Sequence, residues 1–195
     1  MRTMKNYGKV VPALLIALFA LSCDTEQADA PAPLVRLSID EAGGDAEQNK
    51  VLAEVRRATA RYHRVAAAEE DGYMLTSPCV ATEIGGMGHH YLNIANLQDG
   101  VVDPSRPEVL VYEPRKNGTM KLVAVEFMVL AEPWDAVNDD PPMLGSQEFE
   151  DHRNPNPGEP PFPHYQLHAW VWQHNPLGMH APFNPTVTCD FEVQE

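Results

Sequence analysis

Apolar residues first recur at helical spacing. Val51, Leu52, Val55, Ala58, Tyr62, Val65 and Ala66 fall on one stripe of a 3.6-residue repeat. Asp45, with Gln48 three residues on, has the form of a capping box, and Gly72 ends the run. The pattern predicts one helix from 45 to 72, with Arg56, Arg57, Arg61 and Arg64 interspersed on its polar side. After Gly72 the period changes. Short runs rich in β-branched and aromatic residues alternate with Pro and Gly, at 79–83, 89–93, 109–113, 120–130, 165–173 and 186–193. Asn117-Gly118, between the third and fourth runs, is a hairpin signal because both residues tolerate the left-handed backbone of a tight turn. From 133 to 163 Pro and acidic residues accumulate, which predicts a long irregular loop of the kind used as a lid or binding loop. One helix followed by antiparallel strands gives an α+β fold. The expectation is a long N-terminal helix packed on a mainly antiparallel sheet of about five or six strands, with a long Pro-rich loop.

Charge narrows the function classes. The 195 residues carry 14 Lys and Arg against 28 Asp and Glu, a formal charge of −14. Arg2, Lys5 and Lys9 all precede the apolar run from 10 to 21, so the remainder is more acidic still. Phosphate backbones and anionic headgroups repel such a surface, which excludes nucleic acid as a leading partner. The 18 Pro and 12 Gly favour a loop-rich fold over a helical bundle.

The first residues read as an export signal, a positive segment and then an apolar one. The apolar stretch is short of the roughly 20 residues needed to span a bilayer. Ala20-Leu21-Ser22-Cys23 resembles the lipobox of bacterial lipoproteins, in which the Cys is acylated, although Ala20 and Leu21 depart from its commonest form. Cleavage after Ala28-Asp29-Ala30 is the competing site, with Pro31 against it. The expected organisation is a lipoprotein signal peptide over 1–22, a lipid anchor at Cys23, a disordered tether over 23–44 and a single domain over 45–195. The implied location is the bacterial cell envelope, with the membrane as partner through the anchor, at the periplasmic face of the inner or outer membrane or at the cell surface. Cys79 and Cys189 then remain as a pair in an oxidising compartment, where a disulfide is favoured over two free thiols or a thiolate metal ligand.

Polar residues inside apolar runs mark the candidate chemistry. Strict alternation in 120–130 places Leu122, Ala124, Glu126, Met128 and Leu130 on one face, and Val123, Val125, Phe127 and Val129 on the other. Glu126 is the acid of that run, and a buried carboxylate must be neutral, ion-paired or cation-bound. The plain alternative is a salt bridge to Arg57 or Arg61. His90 follows Gly85-Gly86-Met87-Gly88, a stretch where the backbone bends freely, and of the two adjacent His it is the one expected to point inward. In 165–174 alternation puts His168, Trp170, Trp172 and His174 together, a face suited either to a metal or to stacking on a ligand. No HExxH, CxxC, HxH or GxSxG occurs, so any site must be assembled from separate strands.

Gly86-Met87-Gly88-His89-His90-Tyr91, the run from Pro107 through Val111-Tyr112-Glu113-Pro114, Val125-Glu126-Phe127, and His168-Ala169-Trp170-Val171-Trp172 with Asn175-Pro176-Leu177-Gly178, Asn184-Pro185 and Cys189 resemble a family of exported bacterial proteins. The resemblance implies a single exported domain, and no activity, substrate or cofactor. Two functional expectations stand side by side. One is a metal site for a divalent or copper ion, with His90, Glu126 and His168 as ligands and His63 as a fourth. The other is a metal-free binding module that uses Trp170, Trp172, His174 and the 133–163 loop to hold a small ligand or envelope polymer, or a structural envelope lipoprotein.

Overall fold

A computed structural model describes residues 39–156 and 158–192, with side chains from Ala46 onward. These residues belong to one compact unit, Leu37–Glu195. The export signal, Cys23 and the tether up to residue 38 lie outside the described residues.

The expected single helix is three shorter pieces. Helix α1 (Ile39–Thr59), which takes in the last residues assigned above to the tether, gives way to a 3-10 turn (Ala60–His63) and then to α2 (Val65–Glu70). No Gly or Pro stands at the break; Arg64 simply adopts an extended backbone, at φ −100° and ψ 112°. Packing accounts for it. The bend buries Ala67 and Ala68 while Tyr62 packs on Tyr73, ring centroids 5.2 Å apart, so tertiary contacts override a continuous helical pattern.

Nine strands follow among the described residues: β1 (Met74–Leu75), β2 (Val80–Thr82), β3 (Gly85–Leu92), β4 (Val109–Pro114), β5 (Met120–Leu130), β6 (Met143–Leu144), β7 (Gln147–Glu148), β8 (Glu150–His152) and β9 (His164–Ala169). Two short helices, α3 (Ile94–Asp99) and α4 (Ala131–Asp135), interrupt them. Seven strands form one antiparallel sheet in the order β1-β3-β4-β5-β9-β8, with β2 also paired to β3; β6 and β7 form a separate small ribbon. The stretch 133–163 is therefore not irregular throughout. It holds most of α4, the ribbon and β8, a three-residue edge strand too short to leave a periodic signal.

The Asn117-Gly118 hairpin forms as expected: Gly118 has φ +76° and the Arg115 N–H bonds to the Thr119 carbonyl at 2.8 Å, closing β4 onto β5. A β-bulge changes the faces of β5. Val111 pairs with Ala124 but Tyr112 pairs with Leu122, so Val123 is an extra residue. Leu122 consequently joins Val125, Phe127 and Val129, and Val123 joins Ala124 and Met128, the reverse of strict alternation at those two positions.

Both sheet faces are covered. On one, α1 supplies Leu52 and Val55 to a core containing Leu110, Tyr112, Phe127, Tyr165 and Leu167. On the other, Leu97 of α3 and Val187 pack with Val109, Val111, Val123 and Trp170. That second cover is the C-terminal chain. The strand expected over 186–193 does not form among its described residues, 186–192; the chain turns across the sheet instead and meets it through a bridge from Asn184 to Gly86. The Gly-rich segment is strand, not turn. Glycine is required there because a Cβ on Gly88, at φ +123°, would lie 2.5 Å from the Tyr112 carbonyl oxygen. A disulfide joins Cys79 to Cys189, Cα atoms 5.6 Å apart, and ties this cover to the segment ahead of β2.

Candidate functional site

Sheet register brings the site together. In an antiparallel ladder paired residues share a face, so Leu92, Val109, Glu126 and His168 stand in one row across β3, β4, β5 and β9. The adjoining row on one side carries His90, Val111 and Ala124. On the other side come Met128, Gln166 and Glu150, and then Leu130, His164 and His152. Because β4 places only Val109 and Val111 between β3 and this part of β5, His90 reaches across it. His90 Nε2 lies 3.0 Å from Glu126 Oε1, and His168 Nε2 lies 2.8 Å from the same oxygen. The other ring nitrogen of His90, Nδ1, is 2.8 Å from Ser77 Oγ.

The carboxylate and one of the two imidazoles are almost dry. Glu126 is 3 % exposed and His168 1 %. Burial alone would raise the Glu126 carboxyl, but the adjoining imidazoles of His90 and His168 outweigh it and hold the group well below the usual carboxylate range. For His90, burial works to lower the pKa and the Glu126 carboxylate prevails, so the ring keeps its proton to higher pH than an ordinary imidazole. His168 differs from both. Its Nδ1 has no hydrogen-bond partner, and its Nε2 meets the Glu126 carboxylate at 2.8 Å.

The three residues line the floor of a cavity of about 700 Å³. Val80, Met87, Val109, Met128, Phe162 and Phe183 form the apolar part of its wall, and Glu150, His152, Glu159 and Gln166 a polar part. Near its other end His152 Nδ1 lies 3.0 Å from Glu159 Oε2, and its ring stacks on His164 at 5.2 Å. Burial pushes the Glu159 carboxyl up, but hydrogen bonds from His152 and Asn156 overcome this and bring it down to about 2.

The other residues that the sequence pattern singles out separate from this cluster. His63 is exposed and packs edge-on against Trp172, 4.3 Å between ring centroids, beside the helices; it is not a fourth member of the site. Strand β9 ends at Ala169, and the Val171 N–H folds back onto the Ala169 carbonyl at 2.8 Å. That turn breaks the alternation. Trp170 stays with the cavity-side core and donates from Nε1 to the Ala181 carbonyl, whereas Trp172 packs with the helix-side core and donates to Thr59 Oγ1 at 3.1 Å. His174 is exposed. The expected Trp170–Trp172–His174 face does not exist, and none of the three lines the cavity. The salt-bridge alternative for Glu126 also fails, because Arg57 pairs with Glu54 and Arg61 with Asp71.

Sequence reasoning missed Ser77, Glu150, His152 and Glu159. Ser77 sits in a loop with no periodicity, and its one local cue is proximity to Cys79, whose disulfide fixes the segment. As to metal, among the described residues no group of three or more His, Cys, Asp or Glu side chains is arranged to hold an ion. Instead two imidazoles share one carboxylate oxygen at contact distances of a polar network. No protein-family model, no curated protein and no solved structure matches the chain.

Proposed function

We propose that this is an exported, envelope-anchored protein that binds a small, largely apolar and uncharged molecule in the cavity on the C-terminal-covered face of the sheet. The observation that carries the reading is the cavity of about 700 Å³, in which an apolar wall of Val80, Met87, Val109, Met128, Phe162 and Phe183 faces the converging side chains of His90, Glu126 and His168. A concave apolar site with a few convergent polar groups is the usual form of a small-molecule pocket. Three carboxylates on the lining and a strongly acidic chain disfavour an anionic ligand.

The test uses methyl NMR of the methionines with a series of small neutral ketones, esters and alcohols. Met87 and Met128 line the cavity, whereas Met74 and Met143 are exposed elsewhere. Selective, saturable shifts at Met87 and Met128 are expected. Equal shifts at all four, or none, would overturn the reading. Metal analysis of the purified protein with and without chelator runs alongside, and a stoichiometric ion that holds His90, Glu126 and His168 would replace this reading by the metal-centre one.

A further inference from the structure

We propose that Ser77, His90 and Glu126 form a nucleophile–base–acid relay that hydrolyses a small neutral carboxylic ester whose hydrocarbon part fills the cavity. The inference rests on the ligand-binding reading of the same cavity and goes beyond it by assigning a reaction. All three side chains line that cavity, and both links are of hydrogen-bond length: Ser77 Oγ to His90 Nδ1 at 2.8 Å and His90 Nε2 to Glu126 Oε1 at 3.0 Å.

The chemistry needs a base and an orienting acid on opposite nitrogens of one ring, and either nitrogen can serve as the base. Here Glu126 accepts the Nε2 proton, which leaves the Nδ1 lone pair facing the serine. The nucleophile is held in place. Thr76, next to Ser77, bonds to the His90 carbonyl through both its N–H, at 2.9 Å, and its hydroxyl, at 3.1 Å. Two residues beyond Ser77, Cys79 is fixed by the disulfide. Ser77 Oγ also accepts the His90 backbone N–H at 3.3 Å, so its remaining hydrogen is free to lie along the line to Nδ1.

In the reaction Ser77 Oγ bonds to the ester carbonyl carbon and its proton moves to His90 Nδ1. The tetrahedral intermediate collapses, the C–O bond to the alcohol breaks, and the leaving alkoxide takes that proton. Water then attacks the acyl-serine, giving its proton to Nδ1. The acyl–Oγ bond breaks, Oγ recovers the proton, and the carboxylic acid departs. No oxidant, reductant or cofactor is required.

The experiment treats the full chain with a fluorophosphonate probe and maps the adduct by peptide mass spectrometry, with turnover of p-nitrophenyl butyrate measured in parallel. The expected result is an adduct on Ser77 and turnover that Ser77→Ala abolishes. Glu126→Gln should retain the serine and slow both labelling and turnover by about 10²–10⁴-fold. Wild-type labelling decides the matter even if a variant folds poorly. An adduct on another serine, or none together with turnover no greater than in Ser77→Ala, overturns the relay. If ketones still shift Met87 and Met128 in that case, the binding reading stands and the relay alone fails. If they do not, both fail.

Discussion

The two faces of the central sheet are built from the same strands and are put to opposite uses. On the helix-covered face the large side chains, Leu110, Tyr112, Phe127, Tyr165 and Leu167, interlock, and the polar groups among them are satisfied: the Tyr112 hydroxyl donates to the Tyr62 carbonyl at 2.7 Å and Tyr165 to Asp135 at 2.8 Å. On the loop-covered face β4 and β5 present the smaller Val109, Val111 and Val123, a cavity opens, and a carboxylate and two imidazoles stand where hydrocarbon would be more stable. A fold gains nothing in stability from a buried charged cluster that well-packed hydrocarbon could replace. The contrast therefore assigns stability to one face and the proposed binding function to the other.

The largest expected effect tests the first half of that division. Phe127 is fully buried on the helix side, and Phe127→Ala should cost about 3–5 kcal/mol in denaturant unfolding, from lost transfer energy and the void left behind. Met87 on the cavity wall already lacks neighbours on one side, so Met87→Ala should cost less than about 2 kcal/mol. Equal losses would show that the loop-covered face is as tightly packed as the other.

A smaller effect of distinctive shape comes from Glu126→Gln. The depressed Glu126 pKa contributes stability that is present above the ordinary carboxylate value and lost as pH falls through the folded one. The raised His90 pKa contributes stability that is full below about 6.5 and lost as pH rises through the folded value. Their joint contribution peaks between about pH 4.5 and 6.5. In the variant, burial acts on His90 unopposed and lowers its pKa, so protonating the ring opposes folding. The stability gap between wild type and variant should reach about 1–3 kcal/mol in that window and narrow toward pH 8, as read from unfolding midpoints across pH. A gap independent of pH would mean that His90 and Glu126 are not coupled.

How far the sequence carries depends on the scale of the signal. Strand β5, the Asn-Gly hairpin, the disulfide pairing and the meeting of His90, Glu126 and His168 are legible, because long apolar runs and isolated polar residues within them obey local rules. The bulge at Val123, the break at Arg64 and the turn after Ala169 are not. Each is a one-residue departure imposed by packing from distant segments, and the bulge and the turn each reassign a side chain to the other face. Ser77 and His152 lie out of reach for a related reason: register between β8 and β9 and a disulfide to residue 189 place them, and neither leaves a periodic trace nearby.

The smallest effect addresses the residue whose face the turn after Ala169 reverses. Alternation puts Trp172 beside His168 as a ligand platform, whereas its ring lies against the helices, with Nε1 donating to Thr59 Oγ1 and His63 packed edge-on. Trp172→Phe keeps an aromatic ring and removes one hydrogen bond to a buried hydroxyl. That hydroxyl still donates to the Val55 carbonyl at 2.7 Å, so it is not orphaned. The expected loss is about 1 kcal/mol or less in unfolding free energy. The methyl shifts of Met87 and Met128 on adding a neutral ketone should be the same as in wild type, because the substitution lies across the sheet from the cavity. A variant that keeps its stability but loses the ketone response would place Trp172 in the binding surface and abolish the division between the two faces.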